Sequence, residues 1–351
     1  MTYNFDVITK ECDKLYKLVN VNKLKNEKIL ITGASGLIGS FFADFFCFLN
    51  EKYQYNIKIN LTSYGSKNSM ERIQHLLSKK NVEYFSWDAS QEIQEKMISD
   101  VNYVFFCSGY GQPAKFTKDN IKTSFINTVG LNSILKVLEK RKDTNLLFIS
   151  SSEIYGDPDI NNVPTKETYN GSYSVENLRS AYICSKRLGE IICLQYKEKV
   201  NVKIGRVGLI YGPGTLKNDD RVLQNFIFKA NQDKKIKMLD DGSAIRNYLY
   251  ILNGAEILLN IFLYGKDTIY NVGGDTEPKS IFDIANIVAD YFKIKVELGN
   301  DLKNEIVKNS PKNVYLDMSK YKKEFNYDQK NITNLRHGIK EVILWYNLLE
   351  I

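Results

Sequence analysis

The stretch KILITGASGLIGSFFADFF, from Lys28 to Phe46, leaves a chain few ways to fold. A short apolar run predicts a strand, a longer amphipathic run predicts a helix, and Gly33, Gly36 and Gly39 fall in the turn between them. The first glycine permits a sharp turn, the second lets phosphates approach the backbone, and the third lets helix and strand pack closely. Free N–H groups at the helix N-terminus then face those phosphates with a partial positive charge. The turn formed by Gly33, Ser35, Gly36, Leu37, Ile38 and Gly39 is therefore expected to hold the pyrophosphate of a dinucleotide.

The alternation continues through VNYVFFCSG, INTVGLNSILKVLEK, NLLFISSS and LRSAYICSKRLGEIICLQYKEK. It predicts a doubly wound α/β fold, a Rossmann-type parallel sheet with helices on both faces. From about residue 212 the pattern loosens, which predicts a smaller mixed C-terminal lobe for the substrate. The expected partition is a helical extension over 1–26, a dinucleotide-binding domain over 27–211 with about 245–265 added, and a substrate lobe over 212–244 and 266–351.

Composition narrows the function. The hydrophobic fraction of 43% can fill a core, yet no apolar run reaches the roughly 18 residues of a membrane span. Asp44 interrupts the most apolar window. No basic head precedes an apolar core at the N-terminus, so the chain reads as cytoplasmic. Cys12, Cys47, Cys107, Cys184 and Cys193 are odd in number and form no CxxC pair, which points to reduced thiols. His75 and His337, the two histidines, lack companions for a metal site or a Ser-His-Asp hydrolase. The net charge of +7 is spread over runs that acids interrupt, so it favours an anionic small molecule over nucleic acid.

The second strand ends in Thr62, Ser63 and Tyr64 instead of the acid that binds adenosine ribose in NAD enzymes. Ser63, Ser66 or Lys67 could serve the ribose or a 2′-phosphate, so NAD is preferred and NADP stays open. Asp88, after the next strand, is placed either to accept from the adenine amino group or to cap a helix. Further on, FISSSEIYGDP ends a strand in serines and a carboxylate, and RSAYICSKRLGE sets Tyr182 and Lys186 four apart on one helix face. A phenol ionises poorly at neutral pH; a neighbouring ammonium and an oxidised nicotinamide would stabilise its anion, which makes Tyr182 the expected proton shuttle.

With TGASGLIG, SSSEIYGDP, YICSK, RVGLIYGPG, DDRVLQNFI, GSAIRNYLYI and YNVGG, the chain resembles the extended short-chain dehydrogenase/reductases of the epimerase/dehydratase type, which act on nucleotide sugars, over roughly residues 27 to 300. The resemblance implies that Ser151 hydrogen-bonds the reacting sugar hydroxyl and that Tyr182 and Lys186 are the catalytic pair. It also implies that Arg246 contacts the nucleotide diphosphate and that Arg221 binds substrate; Ser152 is expected at the sugar pocket, which Gln112, with Gly109 and Tyr110 in a loop unlike the family's, is expected to shape differently. Chemistry in that family begins with oxidation at C4 of the sugar. Glu153 in SSE resembles the Thr-Ser-Glu of UDP-glucuronate decarboxylases and GDP-mannose dehydratases, so decarboxylation is expected first, 4,6-dehydration second and 4-epimerisation third. Asn247 and Asn253 depart from the pattern, as does the loop CSGYGQPAKF. A homodimer through the Tyr182 helix and a role in polysaccharide biosynthesis are implied as well. The alternative from another class is a catalytically silent nucleotide-sugar-binding regulator.

Overall fold

The computed structural model describes residues 3–64, 70–171, 173–217, 219–274, 277–300, 311–328 and 332–346. Six strands come in order along the first part of the chain: β1 (Lys28–Thr32), β2 (Lys58–Ser63), β3 (Val82–Ser86), β4 (Tyr103–Phe106), β5 (Asn145–Ser151) and β6 (Asn201–Val207). After four short strands of the lobe, β11 (Ile269–Val272) joins them, and the seven pair in parallel in the order β11-β6-β5-β4-β1-β2-β3.

Alternation along each strand sends Ile29, Ile31, Phe105 and Leu147 into one apolar cluster and Leu30, Val104, Phe106, Leu146 and Phe148 into the other. Both faces are covered, so the strands read as unbroken apolar runs. On the first face, Phe42 and Phe46 of α2 (Leu37–Tyr53) pack on Phe105 with ring centroids 4.8 and 5.2 Å away. Phe262 of α8 (Ile251–Tyr264) meets the same ring edge-on at 4.9 Å. The second face is covered by Leu131, Ile134, Leu135 and Leu138 of α5 (Leu131–Leu138) and by Cys193 of α6 (Ser180–Tyr196). The short helices α3 (Pro113–Lys118) and α4 (Asn120–Phe125) lead into α5, and α4 packs along α6.

At the N-terminus α1 (Phe5–Leu18) starts under an Asn4 cap and buries Ile8, Cys12 and Leu15, one stripe at helical spacing, against α2 and α8. Asp44, the acid inside the apolar window, lies buried in α2. It accepts a hydrogen bond from the Tyr3 hydroxyl and meets His75 Nε2 at 2.6 Å. Burial pushes its carboxyl up, against the pull of His75 and Tyr3. The acid thus ties the N-terminal segment to the core.

The smaller lobe carries β7 (Leu209–Tyr211) parallel to β10 (Tyr248–Tyr250), and β8 (Ile236–Lys237) parallel to β13 (Val296–Glu297). Its β9 (Ile245–Arg246) lies between β12 (Lys279–Ser280) and β14 (Asn313–Val314). Helices α7 (Val222–Gln232) and α9 (Ile281–Phe292) pack together, α9 starting in a Ser280/Asp283 capping box. Two points of the expected partition need correction. The strand at 269–272, given to the lobe from sequence, completes the edge of the main sheet beside β6; four residues are too few for alternation to show. Ile245 and Arg246, given to the dinucleotide-binding part, pair with lobe strands instead.

Leu15 is fully buried. Leu15→Ala is expected to cost about 2–5 kcal/mol of stability, measured by denaturant unfolding; a cost within experimental error would mean that α1 is not an integral part of the core.

Candidate active site

The strand order reverses between β1 and β4, and open sheets of this kind take their ligands at the carboxyl ends of the strands at that point. The glycine turn lies there. Gly33 has φ of +62°, and a Cβ on it would stand 2.7 Å from the carbonyl oxygen of Cys107, just past β4. A Cβ on Gly39 would stand 2.6 Å from the carbonyl oxygen of Gly33, so α2 runs as close to β1 as backbone allows. Gly36 caps α2 in extended conformation and offers no side-chain acceptor, which leaves the first N–H groups of the helix for another partner. Ser35, Leu37 and Ile38 complete the turn. Arg72, absent from the sequence-based set, donates from Nη1 to the Ser35 carbonyl at 2.7 Å and from Nε to the Gly214 carbonyl. It clasps the glycine turn to the loop after β7.

At the far end of that turn, Ser63 Oγ lies 3.1 Å from the Tyr84 hydroxyl. Asp88 Oδ1 accepts from the N–H and hydroxyl of Ser90, at 3.0 and 2.7 Å, and Oδ2 accepts from Lys122 Nζ at 2.7 Å. Partial burial raises its carboxyl, but the bonds from Lys122 and Ser90 outweigh this and hold it below its ordinary value. Asp88 therefore closes a turn and pairs with a lysine; it caps no helix. Lys122 also lies 3.7 Å from the Tyr64 ring centroid. Ser66 and Lys67 fall outside the described residues.

One strand over, β5 ends at Ser151, whose Oγ accepts from the Glu153 N–H at 3.2 Å and so starts the helical turn Ser152–Tyr155. Tyr182 and Lys186, one turn apart, face this shelf from α6, and both are buried. Burial raises the Tyr182 phenol to about 12, while a hydrogen bond with Ser151 draws it down; Glu153 adds to the rise and Arg179 to the fall. The Lys186 ammonium is placed differently from the expectation. It donates to the Ile149 carbonyl at 2.8 Å and lies 6.0 Å from the Tyr182 ring centroid, over Phe148 at 4.8 Å. Burial lowers it to about 8, against Cys107 and Glu190.

Glu153 is engaged as well. Arg179, the residue before α6, donates from Nε to its Oε2 at 2.8 Å and from Nη2 to its Oε1. Phe116 of α3, in the loop that departs from the family pattern, stacks on Tyr182 with centroids 4.3 Å apart and planes 10° apart.

Of the remaining residues, Arg246 lies near Glu153 and Arg179, and Tyr248 links it to Arg221. Asp219 binds Arg221 through two donors, Nε at 2.9 Å and Nη2 at 2.7 Å, and also bonds with Gln112. Arg246 donates from Nη1 to the carbonyls of Ile245 and Lys312, at 2.8 and 3.2 Å. Burial lowers its guanidinium, while Tyr248, Glu153 and Asp157 act to raise it and Arg179 to lower it. Tyr248 feels the charges of both Arg246 and Arg221. Asn253, at a position where the family pattern has an acid, accepts from the Thr333 N–H at 2.9 Å and donates to Glu256 at 3.3 Å; an acid there would repel Glu256. Sequence reading did not find Arg179, Phe116, Asp219, Tyr84 or Lys122. Arg179, Phe116, Tyr84 and Lys122 act through partners distant in the chain, whereas Asp219 stands two residues from Arg221 and Arg179 three before Tyr182, offsets that spacing could follow.

A switch-point glycine turn beside a Ser-Tyr-Lys shelf is the signature of dinucleotide-dependent enzymes built on this sheet. The model of the NAD dependent epimerase/dehydratase family matches residues 29–273, and the chain belongs to that family. Among curated proteins it is 30% identical to UDP-glucuronic acid decarboxylase 1 of Xenopus tropicalis over 67% of this chain and 54% of that protein, so the match spans about half of the frog relative. It is 27% identical to UDP-glucuronic acid decarboxylase 6 of Arabidopsis thaliana over 90% of this chain and 87% of that one. Among solved structures, a dTDP-glucose 4,6-dehydratase of Bacillus anthracis with NAD has a TM-score of 0.74 at 21% identity, covering 92% of this chain and 96% of that one. A UDP-glucuronic acid 4-epimerase of Bacillus cereus with UDP-glucuronic acid and NAD has a TM-score of 0.71 at 22% identity, covering 92% and 100%.

The buried Lys186 yields a prediction with a definite sign. Its folded value lies below its unfolded one, so the unfolded chain binds more protons between about pH 8 and 10 and stability rises with pH across that window. Lys186→Met is expected to flatten the rise, in denaturant unfolding at pH 7, 8.5 and 10; equal slopes in the two proteins would contradict the burial of a charged amine.

Proposed function

We propose that the chain is a nucleotide-sugar enzyme that oxidises UDP-glucuronate at C4 and decarboxylates it. The observation that carries this reading is the shelf itself: Ser151 bonded to a buried Tyr182 phenol, with Glu153 held beside them by Arg179. The named decarboxylase relatives, one of them matching over 90% of this chain, supply the substrate class.

The turn Gly33–Gly39 would hold the NAD pyrophosphate on the free N–H groups of α2, with Ser63 and Asp88 toward the adenosine and Lys186 toward the nicotinamide ribose. Bound there, NAD supplies the hydride acceptor for C4. Ser151 hydrogen-bonds the sugar 4-hydroxyl and Tyr182 takes its proton. The resulting 4-ketone is β to the carboxylate on C5, so the C5–C6 bond breaks, its electron pair moves into a C4 enolate, and CO2 leaves. Protonation at C5 from solvent would leave the 4-ketone, and return to C4 of the hydride that the bound cofactor would have taken, together with the Tyr182 proton to O4, would restore the C4 hydroxyl and complete the sequence. Arg246 and Arg221, on the lobe side, would face the diphosphate and the sugar, with Gln112 and Ser152 at the pocket wall. Elimination of water is disfavoured because it needs an acid at the leaving hydroxyl: Ser152 is a poor one and Glu153 is tied to Arg179.

We also propose a homodimer. Ile121, Phe125 and Val129, spaced four apart along α4 and the turn after it, are exposed beside exposed Leu188 and Ile191 of α6. A paired-helix face of this kind buries itself against its own copy.

Incubation with UDP-glucuronate and NAD is expected to give a product lighter by CO2 in mass spectrometry, and Tyr182→Phe is expected to lower the rate by about 10²–10⁴-fold. An unchanged product mass sinks decarboxylation, and unchanged turnover in the variant sinks the assignment of the base. Ile191→Glu is expected to shift light-scattering mass toward the monomer; a wild-type protein already monomeric at micromolar concentration refutes the dimer.

A further inference from the structure

Two groups border the Tyr182 phenol that the catalytic triplet does not include, and both are held by Arg179. Its planar fork binds both carboxylate oxygens of Glu153, the geometry in which arginine fixes a carboxylate rather than merely attracting it. The two side chains are 12% and 18% exposed, so solvent screens the pair little. The guanidinium carbon also lies 5.2 Å from the Phe116 ring centroid, within cation–π reach, and Phe116 lies flat on Tyr182. Arg179 thus joins three elements around one hydroxyl: the turn after β5, helix α3, and the start of α6.

The electrostatics follow from that placement. The groups facing the phenol are Ser151 from β5, Glu153 from the following turn and Arg179 from the residue before α6; Lys186, a turn further on, is bonded to Ile149, and Arg246 faces the Glu153–Arg179 pair from the lobe. A lone carboxylate beside a phenol opposes its ionisation, and the guanidinium offsets that charge.

We propose that Arg179 is a positioning residue for Tyr182: it fixes Glu153 and Phe116 around the phenol and cancels the charge that Glu153 would otherwise turn on it. This rests on Tyr182 being the base of the proposed reaction. It also assigns Glu153 the part of an ionised, oriented partner rather than a proton carrier, since both of its oxygens are engaged by donors.

The test compares Arg179→Met, Arg179→Lys, Glu153→Gln and the double variant in the full-length protein. Removing the two partners of one ion pair is expected to move the acid limb of the kcat–pH profile in opposite directions. Arg179→Met moves it up by about one unit or more and Glu153→Gln moves it down, while the double variant returns toward wild type. In Arg179→Met, kcat should fall about 10- to 100-fold with KM for the nucleotide sugar changed less than about threefold. Arg179→Lys should keep the limb near its wild-type position and still lose rate, because an ammonium supplies charge without the fork. A purely structural role predicts loss of folded protein and no opposed shifts; limbs that stay still, or move the same way in both single variants, overturn the proposal.

A second measurement needs no turnover: the tyrosinate absorbance of each NAD-saturated variant minus that of its Tyr182→Phe counterpart, followed against pH. If UDP-glucuronate is not converted, the proposed reaction fails, and this titration still decides whether the two partners pull the phenol in opposite directions.

Discussion

The approach of α2 to the carbonyl of Gly33 is the constraint on which the glycine-turn end of the molecule depends. With no Cβ at Gly39 the helix settles against the strand end, and with a left-handed Gly33 the chain turns back under the Cys107 carbonyl without strain. Those two contacts set where α2 begins and hence which N–H groups stay unbonded. The stack of Phe42, Phe46, Phe105 and Phe262 then fixes the helix direction over the sheet. Side-chain packing thus aims a backbone feature, the helix N-terminus.

The Ser151–Tyr182 shelf is held from beneath by a buried polar network. Ser150 donates to Glu190 at 2.5 Å. Arg206 binds Glu190 with Nε and Nη2, then reaches the Tyr155 hydroxyl at 2.9 Å and the Glu167 carbonyl at 2.7 Å with Nη1. Tyr155 in turn donates to Asn271 of β11 at 2.7 Å. A buried ion pair contributes little net stability against an apolar replacement, yet removing one partner is costly. Its effect here is one of register: Glu190 of α6 can meet Ser150 and Arg206 in only one rotation of the helix, and that rotation brings Tyr182 opposite Ser151.

The sequence made the sheet and the cofactor turn readable because both rest on local pattern: alternating apolar residues, a glycine triplet, a helix that repeats every four. It also displayed Tyr182, Lys186, Ser151 and Glu153, since each sits at a fixed offset from a strand end or on a helix face. Legibility ended where a side chain is committed to a partner far along the chain. Asp88 could be read as an adenine ligand or a cap, and only the fold brings Lys122 to it. Lys186 could be read as the cation beside the phenol, and only the fold shows it donating to the Ile149 carbonyl. The strand at 269–272 was missed for a different reason: an edge strand of four residues has too few positions to show a period.

The N-terminal helix has a bearing on assembly. Lying across α2 and α8, α1 covers part of the outside of one layer of the molecule, with Phe5 exposed at its start. Among the described residues, the apolar side chains still exposed on adjoining helices are those of α4, the turn after it, and α6, on the opposite layer; the others are scattered. In the proposed homodimer, α1 therefore lies on the layer away from the paired face and leaves that seam free.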